Sequence, residues 1–312
     1  MKISPLIQLA RVPHWIKNLI VLFPMFFALE FHRPQAWAMA LLAMAAFCLG
    51  SSAIYVVNDI HDRERDRCHP RKKDRPIASG RVRLPVAWAW AGVLALAGLA
   101  LAMAVNWAVL VILTAYLVMQ AGYTFLLKHK MLVDVICIAL GFVFRAVAGA
   151  AAIHVWASSW LIICTFTICL FMGFCKRRSE VATLGDQTEA GRHRATLSGY
   201  TPELLTHLIT LSAAVAILAY LLYATHPDTV ARFHTQAPLL VYTLPAIVYA
   251  VCRFAMLSMV GKYADPTELI LHDWPFQVAI AAWAVATFAL ITYGHHIHDV
   301  ILHMLEIGRA HV

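Results

Sequence analysis

Apolar runs of roughly constant length recur along the chain, separated by short polar turns on one side and long charged segments on the other. A bilayer-spanning helix needs about 20 mostly apolar residues, and nine segments meet that pattern, at roughly 15–31, 36–58, 86–105, 107–127, 132–153, 158–175, 203–224, 238–259 and 276–294. The stretch 86–127 holds no charge and is too long for one crossing, so it predicts two helices that turn near Asn106. A second tight turn is expected around 154–159. No alternating strand pattern, low-complexity linker or second domain is visible, so the expected fold class is all-α: a polytopic bundle of nine transmembrane helices forming one domain over 1–305.

Composition agrees with this reading. The 312 residues are 61% hydrophobic and only 13% charged, with a mean hydropathy of +0.71. Too little polar surface exists to solvate a globule, a disordered chain or a free nucleic-acid binder, so no nucleic-acid partner is expected. The 25 Lys and Arg outnumber 17 Asp and Glu, and their placement carries the information. Twenty of them fall at the N-terminus or after the second, fourth, sixth and eighth runs, whereas Arg33, Arg232 and Arg309 lie on the opposite side. Positively charged loops stay in the cytoplasm. The N-terminus and the long loops are therefore expected to be cytoplasmic and the C-terminus external.

Six of the seven cysteines sit in apolar runs, all but Cys68, and read as small buried hydrophobes in a reducing setting. No small-residue cleavage site follows the first run, so it is expected to remain. Residues 306–312 read Glu-Ile-Gly-Arg-Ala-His-Val, the translation of a common short-read sequencing adapter. They are expected to be a non-native tail and are assigned no role.

The densest candidate chemistry follows the second run, in Asn58-Asp59-Ile60-His61-Asp62-Arg63-Glu64-Arg65-Asp66. If the helix continues, Asn58, Asp62 and Asp66 repeat at i, i+4 and i+8, with Asp59 joining the stripe. Hard oxygen donors gathered at a membrane surface suit Mg²⁺, which takes a few carboxylates and fills its remaining positions with water or substrate phosphate. Asn58, Asp62 and Asp66 are thus the expected metal ligands, with Asp59 assisting. The competing account is a solvated helix end whose arginines pair the acids.

Arg75, beside Pro76 and the turn Ser79-Gly80, stands out from a basic stretch that otherwise serves topology. Tyr123, Lys128 and Asp134 surround the fourth loop, and Arg145 follows inside the fifth run. Ionised groups at membrane depth mark a functional site by default, although Asp134 and Arg145 also fit an internal ion pair. The sixth loop opens Lys176-Arg177-Arg178-Ser179-Glu180 and continues through Asp186, Glu189, Arg192, Arg194 and Tyr200. Over the acidic stripe, its basic start would bind a second phosphate; apart from it, anionic lipid. Lys17 is equally an interfacial anchor and a phosphate ligand. The histidines at 295, 296 and 298 lack a carboxylate framework and are not expected to bind metal.

Asn58-xxx-Asp62-xxx-Asp66 followed by Arg75-Pro76-Ile77-Ala78-Ser79-Gly80, on nine apolar runs, resembles the UbiA superfamily of intramembrane prenyltransferases. Within it the chain is most similar to the decaprenyl-phosphate phosphoribosyltransferase branch. The residues concerned are Trp15-Ile16-Lys17-Asn18, Tyr123 with Leu127-Lys128 and Asp134-Val135, the stretch from Gly141-Phe142-Val143-Phe144-Arg145 through Gly149, Lys176-Arg177 with Glu180, and Ser198-Gly199-Tyr200. Ordinary members carry a second Asp-rich motif in the sixth loop, where this chain is basic. The resemblance implies a Mg²⁺-dependent enzyme, with Mn²⁺ as an alternative metal. It would move a phosphoribosyl group from phosphoribosyl diphosphate to a polyprenyl phosphate at the cytoplasmic face of a bacterial inner membrane, in the synthesis of arabinose precursors for the cell envelope. Lys17, Arg75, Lys128, Lys176 and Arg177 would hold phosphates, and Asp134 a ribose hydroxyl or Lys128. Tyr123, Arg145, Glu180 and Tyr200 complete the expected substrate set. Self-association is left open. A prenyltransferase for an aromatic acceptor shares the first motif, and a non-catalytic transporter would use the same intramembrane charges.

Overall fold

The computed structural model describes residues 4–68, 72–184, 199–232, 239–263 and 266–310, without the side chains of 183–184, 232 and 294–310. The expectations for Asp186, Glu189, Arg192, Arg194 and Ser198 lie outside the described residues, as do those for the side chains of the 295, 296 and 298 histidines and of the 306–312 tail. Every regular element among the described residues is a helix. The helices are α1 (Pro5–Ala10), α2 (Phe23–Phe27), α3 (Pro34–His61), α4 (Arg63–Arg67), α5 (Leu84–Val105), α6 (Trp107–Phe125), α7 (Val133–Ala152), α8 (Ser159–Leu184), α9 (Pro202–Thr225), α10 (Pro227–Arg232), α11 (Leu244–Val260), α12 (Pro266–His272) and α13 (Trp274–Ala310).

Eight helical stretches among the described residues are long and apolar enough to cross a membrane. The ninth expected span, 15–31, takes another form. Val12–Leu22 is a 3₁₀ helix with Pro13 in its first turn, and it runs into the five-residue α2, where Pro24 again opens the turn. A 3₁₀ helix rises about 2.0 Å per residue against 1.5 Å for an α-helix, so the sixteen residues 12–27 extend roughly 30 Å, the thickness of a hydrocarbon core.

The chain divides into two compact units: 1–173 with 184–200, and 174–183 with 201–312. In the first, the tightest pairing is α3 against α5, lined by small residues. A Cβ on Gly98 would stand 3.0 Å from the Ala46 carbonyl oxygen and 3.1 Å from the Gly50 nitrogen. Ala43, Ala46, Phe47, Ala102, Leu113 and Tyr116 form a buried core beside this crossing. Small side chains let backbones approach where lipid removes any hydrophobic drive between helices. The break at Asn106 is as expected: its side-chain oxygen caps α6 by accepting from the Val109 N–H at 2.9 Å, and its amide donates to the Ala151 carbonyl at 2.9 Å.

In the second unit, α11 and the α12–α13 junction are joined by Arg253 and Asp273, at 2.5 and 3.0 Å. The Trp283 indole donates to the Tyr220 hydroxyl at 3.1 Å, and that hydroxyl also meets Thr243. All seven cysteines are free thiols. Cys48, Cys137, Cys169 and Cys175 are buried as expected, whereas Cys252 is on the exposed face of apolar α11, a surface that suits a weakly polar thiol in lipid.

Candidate active site

The acidic stripe survives the end of its helix. α3 stops at His61, yet the Asp62 N–H still donates to the Asn58 carbonyl at 2.9 Å and the Asp66 N–H to the Asp62 carbonyl at 2.8 Å. The i, i+4 spacing therefore continues into α4. At about 100° per residue, Asn58, Asp62, Asp66 and Asp59 fall in that order across roughly 100° of arc.

Two sets of cations divide this arc. On one edge the Lys128 ammonium donates to the Asp62 carboxylate at 2.7 Å and to the Asn58 amide oxygen at 3.4 Å. On the other, a single Arg75 nitrogen bridges Asp66 at 2.7 Å and Asp59 at 3.0 Å, and Arg11 also pairs with Asp59. Arg65 stands 3.8 Å from Asp62, more exposed. Three carboxylates thus face three close cations, and Asp59, Asp66 and Lys128 are buried. Burial by itself would raise the Asp62 carboxyl, but the hydrogen bond and charge of Lys128, aided by Arg65 and His61, leave it below the ordinary carboxylate value.

Local sequence explains how Arg75 is presented. Ile77 and Val82 are buried in the core formed with Leu9, Ala53, Val56 and Ala87. The turn between closes through Ser79 N–H to Arg75 O at 2.9 Å and Val82 N–H to Pro76 O at 2.9 Å, with Gly80 at φ 78°. Only glycine adopts that conformation readily. The Arg67 guanidinium adds a bond to the Ala78 carbonyl at 3.1 Å. The Arg-Pro-Ile-Ala-Ser-Gly stretch is thus an apolar plug with one arginine at its edge.

Other expected residues fall into three groups. Tyr123 lies half-buried in the last turn of α6, and Lys17 half-buried on the 3₁₀ helix. Asp134 and Arg145 do not pair with one another. The buried Tyr200 hydroxyl donates to Asp134 at 3.0 Å and accepts from the Leu132 N–H at 2.7 Å, so Tyr200 and Asp134 join the start of α7 to the segment before α9. Arg145 bonds Asn18, Tyr116 and Gly141. Lys176, Arg177 and Glu180 belong to the second unit, where the buried Arg177 pairs with Glu180.

Arg11 is the site residue that the sequence reading missed. It precedes the 3₁₀ helix in a left-handed conformation, φ 49°, and its guanidinium lies 5.1 Å from the Tyr55 ring centre, with the His14 ring 5.6 Å from the same ring. In a 3₁₀ helix side chains at i and i+3 eclipse, which aligns His14 and Lys17 on one edge, and Arg11 at the N-cap meets the same Tyr55 ring as His14. That repeat of three was present in the sequence, but an α-helical period disperses it.

Among the described residues, no three His, Cys, Asp or Glu side chains are arranged as a closed metal site. Mg²⁺ does not require one, because it is typically held through one or two carboxylates and substrate phosphates. Asp62, Asp66 and the Asn58 amide offer hard oxygens of that kind, so the donor set fits.

The model of the UbiA prenyltransferase family matches residues 18–227. The chain is 33% identical over 289 residues to a decaprenyl-phosphate phosphoribosyltransferase of Mycolicibacterium smegmatis, covering 90% of each. It is 30% identical over 296 residues to the enzyme of that name from Mycobacterium tuberculosis, covering 94% of this chain and 96% of the relative. Among solved structures it is similar to a UbiA homologue from Archaeoglobus fulgidus bound to DMAPP and Mg²⁺, with a TM-score of 0.69 and 17% identity, covering 93% of this chain and 99% of that one.

Proposed function

Because the chain belongs to the UbiA prenyltransferase family, we propose that it transfers a 5-phosphoribosyl group from phosphoribosyl diphosphate to a polyprenyl phosphate, releasing diphosphate. The observation that carries this reading is the match over nine-tenths of the chain to decaprenyl-phosphate phosphoribosyltransferases. Twenty basic residues on one side of the apolar runs support a multi-pass protein in a bacterial inner membrane, with its N-terminus and this site cytoplasmic. A cytosolic sugar donor fits that orientation, and the downstream use would be in cell-envelope arabinose precursors.

Asp62, Asp66 and Asn58 would hold Mg²⁺, and the same oxygens accept Mn²⁺. Bound there, the ion supplies charge neutralisation for a departing diphosphate. Lys128 and Arg75 hold carboxylate oxygens of that donor set, and with a metal bound there both cations would be available to phosphate oxygens. The bond from the anomeric carbon to diphosphate breaks, with its electron pair leaving on oxygen, and a lipid phosphate oxygen forms the new bond. The nucleophile is already an anion, so no side chain has to remove a proton. Positioning and electrostatics supply the rate. Lys17, Arg11, Lys176 and Arg177 are the remaining phosphate-binding candidates, and the apolar surface of the helices takes the prenyl chain.

The test is an incubation of purified protein with Mg²⁺, polyprenyl phosphate and radiolabelled phosphoribosyl diphosphate, beside one with labelled prenyl diphosphate and 4-hydroxybenzoate. Sugar label should enter the organic phase and disappear with EDTA. Label on the aromatic acid alone would replace this reading with prenyl transfer; no transfer in either would remove the enzymatic reading.

A further inference from the structure

Arg145 is a buried cation that the proposed chemistry does not use. It lies twelve residues into α7, about 18 Å from the helix start at 1.5 Å per residue, near the middle of a hydrocarbon core about 30 Å thick. Of the described residues, none gives it a carboxylate. Its Nε donates to the Asn18 side-chain oxygen at 2.6 Å, Nη1 to the Gly141 carbonyl at 2.6 Å and Nη2 to the Tyr116 hydroxyl at 2.9 Å. The rings of Tyr116, Phe142 and Phe47 surround its guanidinium carbon, with centres at 4.8, 5.4 and 5.9 Å. A charge at this depth is costly and marks a working residue by default.

Its partner shows what the work is. Asn18 lies on the 3₁₀ helix and also donates to Cys48 at 3.2 Å and Ser51 at 3.5 Å on α3. One turn earlier, Trp15 donates to Ser52 at 3.0 Å. One turn later, Val21 is buried, and its carbonyl oxygen would lie 1.9 Å from a Cβ on Gly149. Trp15, Asn18 and Val21 form the repeat of three that faces the bundle. His14 and Lys17 form the adjacent repeat, with Arg11 at the N-cap ahead of it.

Eleven residues of 3₁₀ helix are unusual, because its hydrogen bonds are poorer than those of an α-helix and runs beyond three or four residues are uncommon. Something must hold this winding. The winding also sets where Lys17 emerges: over the three residues from His14, a 3₁₀ helix turns one full circle, whereas an α-helix falls short by about 60°. We propose that Arg145 is a positioning residue which, by clamping Asn18, keeps this segment in 3₁₀ register and Lys17 on the same edge as His14, in line for a substrate phosphate. The identity of that substrate, though not the clamp, rests on the function proposed above.

The experiment uses the full-length protein in lipid nanodiscs with Arg145→Met, Asn18→Ala, Lys17→Ala and the Lys17→Ala/Arg145→Met pair. The expected result is a KM for one of the two phosphate substrates raised about tenfold in each single variant, the size of one lost charge-assisted contact, with kcat changed less. The pair should be no worse than Lys17→Ala alone, because residues acting through one another are not additive. Asn18→Asp, which keeps an acceptor for Arg145, should retain the wild-type KM. Multiplying effects in the pair, or a Tm that falls with kcat at constant KM, would overturn the clamp. A readout independent of turnover is labelling of Lys17→Cys by a charged maleimide, quantified at residue 17 by mass spectrometry. Its rate should change severalfold when Arg145→Met or Arg145→Lys is added. An unchanged rate overturns the proposal, whereas a changed rate in a protein without phosphoribosyl transfer would reject the reaction and keep the clamp.

Discussion

At the end of α3 three carboxylates share three cations, with Arg75 bridging two acids and Asp59 taking two arginines. In the second unit Arg253 and Asp273 instead close on each other through two hydrogen bonds, and Asp273 also caps α13 by accepting from the Phe276 N–H at 3.0 Å. The first arrangement has interchangeable partners and half-buried arginines at its rim. In the proposed reaction its carboxylates would pass from a guanidinium to a metal, and its cations to phosphate. The second uses the planar fork of one arginine on one carboxylate and fixes the junction between two helices. On that proposal, similar charges serve exchange in one place and fastening in the other.

The largest expected effect separates these roles. Asp62→Ala should reduce turnover on the order of 10²–10³-fold, the scale of losing a principal electrostatic contributor, while Tm moves by only a few degrees. Radiolabel transfer and thermal unfolding of the same preparation measure both. A Tm collapse matching the loss of turnover would make the cluster a fastening like its counterpart.

Asp273→Asn should do the reverse. Turnover per folded molecule should stay within about twofold, while Tm drops roughly 3–8 °C, the range for losing a charged hydrogen-bonded pair and a helix cap together. Loss of turnover at unchanged Tm would move Asp273 into the machinery.

Between these lies Gly149→Ala, in which the new methyl collides with the Val21 carbonyl. Backbone cannot yield as a flexible side chain does, so overpacking of about 1–3 kcal/mol is expected, with the 3₁₀ helix displaced. Reduced Tm together with a raised KM for a phosphate substrate checks it. An unaffected KM would show that Lys17 placement does not depend on this contact.

Apolar run length was enough to find α3, α5–α9, α11 and α13, because membrane thickness and backbone satisfaction leave a helix few alternatives. The Asn106 break was legible for the same reason: a short polar residue in a charge-free stretch can only be a cap. Carboxylate spacing from α3 into α4 was equally readable. What escaped depended on winding and on distant partners. An α-helical period applied to 12–22 separated His14 from Lys17 and hid the Trp15–Asn18–Val21 face, and Arg11, just before that range, was left out of the site. Asp134 and Arg145 also fitted an internal ion pair, since each is an ionised group in an apolar run, but a hydroxyl from residue 200 and an amide from residue 18 meet them instead. Such contacts cross 66 and 127 positions, beyond the reach of local periodicity.

The smallest effect, a pH dependence, gives a further contrast. Hydrogen bonds from Arg253 hold the Asp273 carboxyl below its ordinary value against the pull of its burial, and the Phe276 N–H adds to them. A carboxyl whose folded value is depressed contributes stability that is fully present above its unfolded value, near 3.9, and that disappears as pH falls through the lower folded value. Wild-type Tm should therefore show an acid limb beginning near pH 4, and Asp273→Asn should flatten that limb while leaving the remainder of the profile parallel. Asp62 is depressed as well, but its partner Lys128 has the Asn58 amide to fall back on, so Asp62→Asn should flatten the limb less. A larger flattening for Asp62 than for Asp273 would mean that the shared cluster stores more folding energy than the closed pair, and the distinction between exchange and fastening would fail on stability even if it held on turnover.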